Sequence, residues 1–189
     1  MRSFTLNTQF NSVTNLGIRV LEPPALPTTT QIIDQIEVAG RAGTLTREVG
    51  WADQTITIRC AITNTPDETV LESFRNLRAL CAGSVPGVGP ITRLDLSTNP
   101  GVYYKVKHTA FTELTRLTSS WWEFTITFSC EPFSYQAGVR PITLTTSGQI
   151  VNPTMVPAEP VITVYGTGTL TLTIASTRHT INGSSQLRV

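Results

Sequence analysis

Ser120-Trp121-Trp122-Glu123-Phe124-Thr125-Ile126-Thr127-Phe128-Ser129-Cys130 is the stretch on which the reading of this chain turns. Trp122, Phe124, Ile126, Phe128 and Cys130 recur at every second position, with Trp121, Glu123, Thr125, Thr127 and Ser129 between them. A period of two places alternate side chains on opposite faces of a strand. One face then carries two phenylalanines and a tryptophan, enough to anchor a core against which another element can be laid.

The same alternation recurs on either side. In Gln54 to Ile62, Ile56, Ile58, Cys60 and Ile62 face one way and Thr55, Thr57, Arg59 and Ala61 the other. Val102, Tyr104, Val106, His108 and Ala110 alternate with Tyr103, Lys105, Lys107 and Thr109, which puts His108 on the apolar side as a packing residue. Gln31 to Ala39 reads as a strand entering the turn Gly40-Arg41-Ala42-Gly43, and Ile91 to Leu96 as a short one ending at Asn99-Pro100-Gly101. Composition agrees. The chain holds 32 threonines, 15 valines and 14 isoleucines in 189 residues. These β-branched side chains crowd a helix at χ1 and fit a pleated sheet.

One helix interrupts this pattern, predicted over 66–82. Thr65-Pro66-Asp67-Glu68 is a capping box with proline at the first helical position and acids at the positive end of the dipole. Val70, Phe74, Leu77 and Cys81 follow at helical spacing, Leu71 and Leu80 widen the stripe, and Gly83 is the stop.

The pattern breaks again after Cys130. Pro132 and Pro141 bracket a short aromatic segment, and residues 152–160 contain three prolines, the composition of a linker. Val161 to Tyr165, Leu170 to Ile174 and Gln186 to Val189 read as short strands, with Gly166-Thr167-Gly168 and Asn182-Gly183 as hairpin turns. The organisation predicted is a complete β domain over 1–141, a linker over 142–158 and a partial β domain over 159–189, too short to bury a core of its own.

Charge and chemistry narrow the function. Net charge is +1, and the 12 arginines and 2 lysines are scattered rather than clustered. Nucleic-acid recognition, which works by releasing counterions from a concentrated cationic surface, is therefore not expected. The start lacks the apolar core of a signal peptide, and no run of apolar residues approaches a membrane span, so folding in a cytoplasm is expected. Cys60, Cys81 and Cys130 form no CxxC unit and fall on apolar faces, as buried free thiols do. His108 and His179 lie far apart with no nucleophile elbow near either. No metal-ligand spacing occurs, the four aspartates are isolated, and the turn at Gly40 leads into a strand rather than a helix, against phosphate cradling. No catalytic residue, cofactor site or metal site is expected, and the chain does not read as an enzyme.

Four segments in order resemble the distal tail protein family of siphophages, which have long non-contractile tails. They are Phe4 to Val20 with Asn15-Leu16-Gly17-Ile18-Arg19-Val20; Gly40-Arg41-Ala42-Gly43-Thr44-Leu45 with Trp51 and the Ile56–Ile62 strand; Phe124 through Cys130 into Glu131-Pro132-Phe133-Ser134-Tyr135; and Asn152-Pro153 through Val161-Ile162-Thr163-Val164-Tyr165 to Gly168. The resemblance implies a tail-tube-like β-sandwich with one packed helix, followed by the opening strands of a galectin-like β-sandwich that stops short of completion. It further implies a structural virion protein, assembled in the host cytoplasm. Six copies would close a ring at the end of the tail, joining the tail tube protein to the hub or tail-associated lysin. A central channel would pass the tape measure protein and then DNA, without sequence-specific contact to nucleic acid or insertion in a membrane. Two other readings remain: a carbohydrate-binding β-sandwich using Trp51 or Trp121, and a tail-tube or terminator ring subunit, which shares the sandwich-plus-helix plan.

Overall fold

The structure is a computed structural model describing residues 2–37, 39–40, 42–63, 67–138, 142–151, 161–165, 169–174, 177–182 and 185–188. The Thr65-Pro66 cap, Arg41 of the first turn, Pro141, the prolines of 152–160, Gly166-Thr167-Gly168 and Gly183 lie outside the described residues. The elements are β1 (Phe4–Leu6), β2 (Phe10–Asn11), β3 (Ile18–Val20), β4 (Gln31–Glu37), β5 (Thr44–Trp51), β6 (Gln54–Thr63), α1 (Asp67–Cys81), β7 (Arg93–Leu96), β8 (Val102–Phe111), β9 (Thr115–Thr118) and β10 (Trp121–Gln136). Then follow β11 (Val161–Val164), β12 (Thr169–Ile174), β13 (Thr177–Asn182) and β14 (Ser185–Arg188). The chain divides into two compact units, Met1–Val139 and Arg140–Val189. Among the described residues it is mainly β with one helix.

The first unit is built on β10. Its first ten residues pair antiparallel with β6 without a slip, from Trp121 opposite Thr63 to Cys130 opposite Gln54. Its second half pairs with β8 on the other edge. The whole sheet runs β2-β1-β7-β8-β10-β6-β3, with β9 added to the start of β10. The alternation in sequence is the alternation in burial: Ile56, Ile58, Cys60, Ile62, Phe124, Ile126, Phe128 and Cys130 are all inside. The sheet curls on itself, so that Phe4 of β1 meets Phe128 edge to face at 6.1 Å although two strands separate theirs in the sheet.

Helix α1 lies on the inner face. Val70, Phe74, Leu77 and Leu80 are buried, and the Phe74 ring meets Phe124 at 4.9 Å and Phe111 at 6.0 Å, both edge to face. Leu71, expected to widen the buried stripe, is instead 42% exposed, because the stripe turns toward Leu80 rather than Leu71. At the C-terminus, Ser84 N–H donates to Ala79 C=O and Gly83 N–H to Leu80 C=O, the paired bonds that close a helix on a left-handed residue. Gly83 has φ +67°, and a Cβ there would stand 3.2 Å from the Pro90 backbone.

Two departures from the expected pattern come from β-bulges. Ser129 pairs with His108 but Cys130 pairs with Val106, leaving Lys107 as an extra residue in β8. An inserted residue reverses every side chain beyond it. His108 is therefore exposed rather than packed inside, and the Phe111 ring rather than Ala110 turns inward. Further along, Cys130 pairs with Val106 and Ser134 with Tyr104, a second slip that spans Pro132. Proline cannot donate to a ladder, and the bulge removes that demand, so β10 continues to Gln136 instead of ending at Cys130.

The second unit contains two separate strand pairs, β11 with β14 and β12 with β13. The segment 177–182 is a strand that the sequence reading did not include. Gly166-Thr167-Gly168 and Asn182-Gly183 were expected to close hairpins, yet among the described residues β11 does not pair with β12, nor β13 with β14. Turn residues mark where a chain reverses, not which strand it returns to. Among the described residues, no helix is long and apolar enough to cross a membrane.

Three measurements check this packing. Phe74→Ala removes a ring held by two others and should cost about 3–5 kcal/mol in chemical denaturation. Gly83→Ala should lower stability by about 1–2 kcal/mol, since alanine is strained at that φ and its Cβ crowds Pro90. Burial pushes the thiols of Cys60 and Cys81 up to about 12 and of Cys130 up to about 11, from an ordinary 9.0. The unfolded chain then ionises first, so this contribution is whole below about pH 9 and is lost as pH rises toward 11–12. The urea midpoint should fall across that window, and less steeply in Cys60→Ala; equal slopes would contradict the assignment.

Candidate assembly interface

β4 and β5 form a two-stranded ribbon that, among the described residues, pairs with no other strand. Ile32, Ile33, Ile36, Leu45, Val49 and Trp51 on it are 41–60% exposed. An isolated two-stranded ribbon is at best marginally stable in water, and contiguous exposed apolar groups mark surfaces that bind something. The register sorts the two faces. Ile32 lies opposite Gly50, Asp34 opposite Arg47 and Ile36 opposite Leu45, with one slip between Ile32 and Ile33 that leaves Val49 extra. One face thus shows Ile32, Ile36 and Leu45 around the opposed Asp34 and Arg47. The other carries Gln31, Gln35, Glu37, Thr44, Thr46 and Glu48, with Ile33 and Trp51 among them. Gly40 and Gly43 at the tip have φ +83° and +89°, as the sequence reading of a tight turn required.

The ribbon is fastened at its root. Because β10 bulges at Pro132, that residue's carbonyl points away from the ladder and is free to accept. Thr29 Oγ1 donates to it at 3.0 Å, and Gln54 Nε2, on an almost fully buried side chain, donates to it as well. The Trp51 indole meets the Phe133 ring edge to face at 5.6 Å. Asp53 Oδ1 accepts from Lys107 Nζ at 2.7 Å, and that bond raises the ammonium above its usual range. The ribbon therefore projects from a rooted base rather than hanging from a loose loop.

The outward face of the sheet has a different character. Thr57 lies opposite Thr127, Thr55 opposite Ser129 and Arg59 opposite Thr125, giving a neutral patch of small hydroxyl side chains. Ion pairs bound it at both ends. Arg59 reaches Glu22 at 3.4 Å and Glu123 at 3.3 Å at one end, and Lys105 reaches Glu131 at 3.5 Å at the other. The Tyr135 hydroxyl donates to Glu131, and it, followed by Lys105, holds that carboxyl below the usual range. Tyr135 stacks on Tyr103 at 5.5 Å, with Lys105 over one ring and Arg93 over the other at 4.1 Å each. Both faces of that stack are occupied.

Of the residues singled out in sequence, Trp51 is at the ribbon root, and Trp121 is half-buried with its indole N–H donating to Glu123 at 2.7 Å. His108 stands exposed opposite Ser129, while His179 belongs to the other unit. No cluster of three metal-ligating side chains occurs among the described residues. The exposed apolar face of the ribbon was missed by the sequence reading. Its signal was Ile32-Ile33 together with Ile36, Leu45, Val49 and Trp51, more apolar groups than one face of a hairpin on a core would use.

No protein-family model matches the chain. No curated protein matches it either. Among solved structures, its fold is similar to that of the SPP1 Dit (gp 19.1) protein, whose crystal structure is described as a paradigm of the hub adsorption apparatus in phages infecting Gram-positive hosts. The TM-score is 0.53 with 12% identity, over 92% of this chain and 58% of that one. The chain thus spans less than two thirds of that protein's length, and at this identity the likeness is one of fold.

Proposed function

We propose that this chain is a structural subunit of a phage tail tip, of the distal tail protein kind, and that it acts by assembling rather than by catalysis. Six copies close a ring between the tail tube above and the hub or tail-associated lysin below, around a channel that passes the tape measure protein and then DNA. The observation that carries the reading is the apolar face of the β4–β5 ribbon, exposed on a rooted arm. The fold likeness to a phage hub protein supports it, as do the four segments that resemble the family in order.

The physics of a ring suits these features. A cyclic assembly repeats one contact between two different patches, so each subunit needs a donor surface and an acceptor surface. The ribbon is such a donor. Ile32, Ile36 and Leu45 are 41–47% exposed, so covering them would stabilise each contact by about 0.7–1.5 kcal/mol per side chain. A channel for DNA must not hold the phosphates that pass through it. The neutral patch of Thr55, Thr57, Thr125, Thr127 and Ser129, bounded by paired rather than free charges, is the surface on this subunit best suited to line it. A carbohydrate-binding reading has less support, since the indole N–H of Trp121 is engaged by Glu123 and Trp51 packs on Phe133.

Negative-stain microscopy and light scattering of the purified protein test the reading. Six-fold rings are expected. Ile36→Asp should weaken association by roughly thirtyfold, as expected for about 2 kcal/mol, with the melting temperature of the subunit unchanged. Stacked tubes would favour a tube subunit instead, and monomers at high concentration would refute both.

A further inference from the structure

The inward row of β6 reads Gln54, Ile56, Ile58, Cys60 and Ile62, and its first member is out of character. Gln54 is 5% exposed, and it and Ser12 are the buried polar side chains among the described residues. Burying an amide is unfavourable unless it is hydrogen-bonded, so a carboxamide at the end of an apolar row calls for a partner. That partner is the Pro132 carbonyl, to which Gln54 Nε2 donates. Thr29 Oγ1 donates to the same oxygen at 3.0 Å.

Thr29 leads into β4 and Gln54 follows β5, so both stems of the ribbon meet on one atom of a third strand. A carbonyl oxygen has two lone pairs, enough for both donors. The ribbon closes its own base separately: Ala52 N–H donates to Thr30 C=O at 2.8 Å, and Trp51 lies opposite Gln31. The other braces at the root are of a weaker kind. Asp53 and Lys107 pair through half-exposed side chains, which adds little. Trp51 stays 46% exposed where it meets Phe133.

Direction matters because the ribbon is a lever. Seven residues of β4 span about 23 Å at the rise of a strand, so a swing of about 10° at the root moves the tip by about 4 Å. A gap of about 1 Å already forfeits up to about half the attraction of an apolar contact. An arm with its apolar side chains out along its length is therefore useful only if it is aimed.

We propose that the Pro132 carbonyl is the pivot that aims the β4–β5 ribbon, with Gln54 and Thr29 as positioning residues that pin one stem each to it. Without those two donors the ribbon keeps its own pairing and swings about its root. This is a property of the single subunit and does not require the ring reading. In a ring, a preset direction would lower the ordering cost of each contact.

Pulsed electron–electron distance measurements test it. Nitroxide labels are placed at Thr46→Cys in the ribbon and Thr57→Cys on the outward face of the sheet, both exposed positions. Cys60 and Cys130 are buried, and Cys81→Ser removes the half-buried third thiol. Ile36→Asp in the same background weakens any contact of the ribbon with a neighbouring copy, and dilution into unlabelled protein leaves only distances within one subunit. A narrow distance distribution is expected in this background. It should be at least twofold broader in Gln54→Met and in Thr29→Val, and narrow again in Thr29→Ser, which keeps the hydroxyl. Should Gln54→Met not fold, the two Thr29 variants decide alone. A lower melting temperature at unchanged width would make both side chains ordinary packing residues and overturn the pivot. Equal broadening in Thr29→Ser and Thr29→Val would overturn it too, as would a broad distribution in the background itself. Each of these results leaves the ring reading standing, since microscopy of the unlabelled protein decides that separately.

Discussion

Everything in the first unit depends on the pairing of β10 with two neighbours at once. Its ten-residue register with β6 fixes which side chains face the core, and its later half does the same for β8. Phe124 receives the helix through Phe74, and Phe128 receives the N-terminal strand through Phe4. A single strand thus ties the helix and the curled end of the sheet to one apolar surface. The energy involved is ordinary core burial, but its direction is set by a hydrogen-bond ladder that tolerates no slip between Trp121 and Cys130.

Where the other ladder, between β10 and β8, slips, the molecule acquires its surface features. The bulge at Lys107 turns His108 outward and lets Lys107 hold Asp53. The bulge around Pro132 frees a carbonyl that accepts from Thr29 and Gln54, and it presents Phe133 to Trp51. Both irregularities therefore serve the root of the β4–β5 ribbon. A ribbon with six large apolar side chains in water is a liability for an isolated subunit. It becomes an asset for one that is rarely isolated, since the same side chains are dry once a neighbour covers them.

The low charge of the chain takes on a definite meaning in this setting. Five cations of the first unit are held in ion pairs, and the outward face of the sheet between them is a field of hydroxyls. Exposed pairs of this kind add little to stability. Their effect is to leave few free positive charges on a surface that, in the proposed ring, a polyanion would have to pass.

Much of the fold was legible in the residues alone. The strands Gln54–Thr63 and Trp121–Cys130, the helix with its Gly83 stop and the turn glycines at 40 and 43 all follow from periodicity and backbone sterics, which are local properties. The four segments in family order pointed to a fold that the solved-structure likeness bears out. What the sequence could not decide was every matter of partnership. Whether Lys107 is in register or bulged depends on β10, not on β8, so the alternation that put His108 inside was correct locally and wrong in the sheet. Pro132 looked like a stop because its missing N–H matters only where a neighbour needs it, and the bulge removed the need. The ribbon's isoleucines were read only as members of a strand, because side-chain chemistry says what a residue prefers to touch. Only the tertiary structure decides whether its own chain supplies the contact, and here those side chains stay 41–60% exposed.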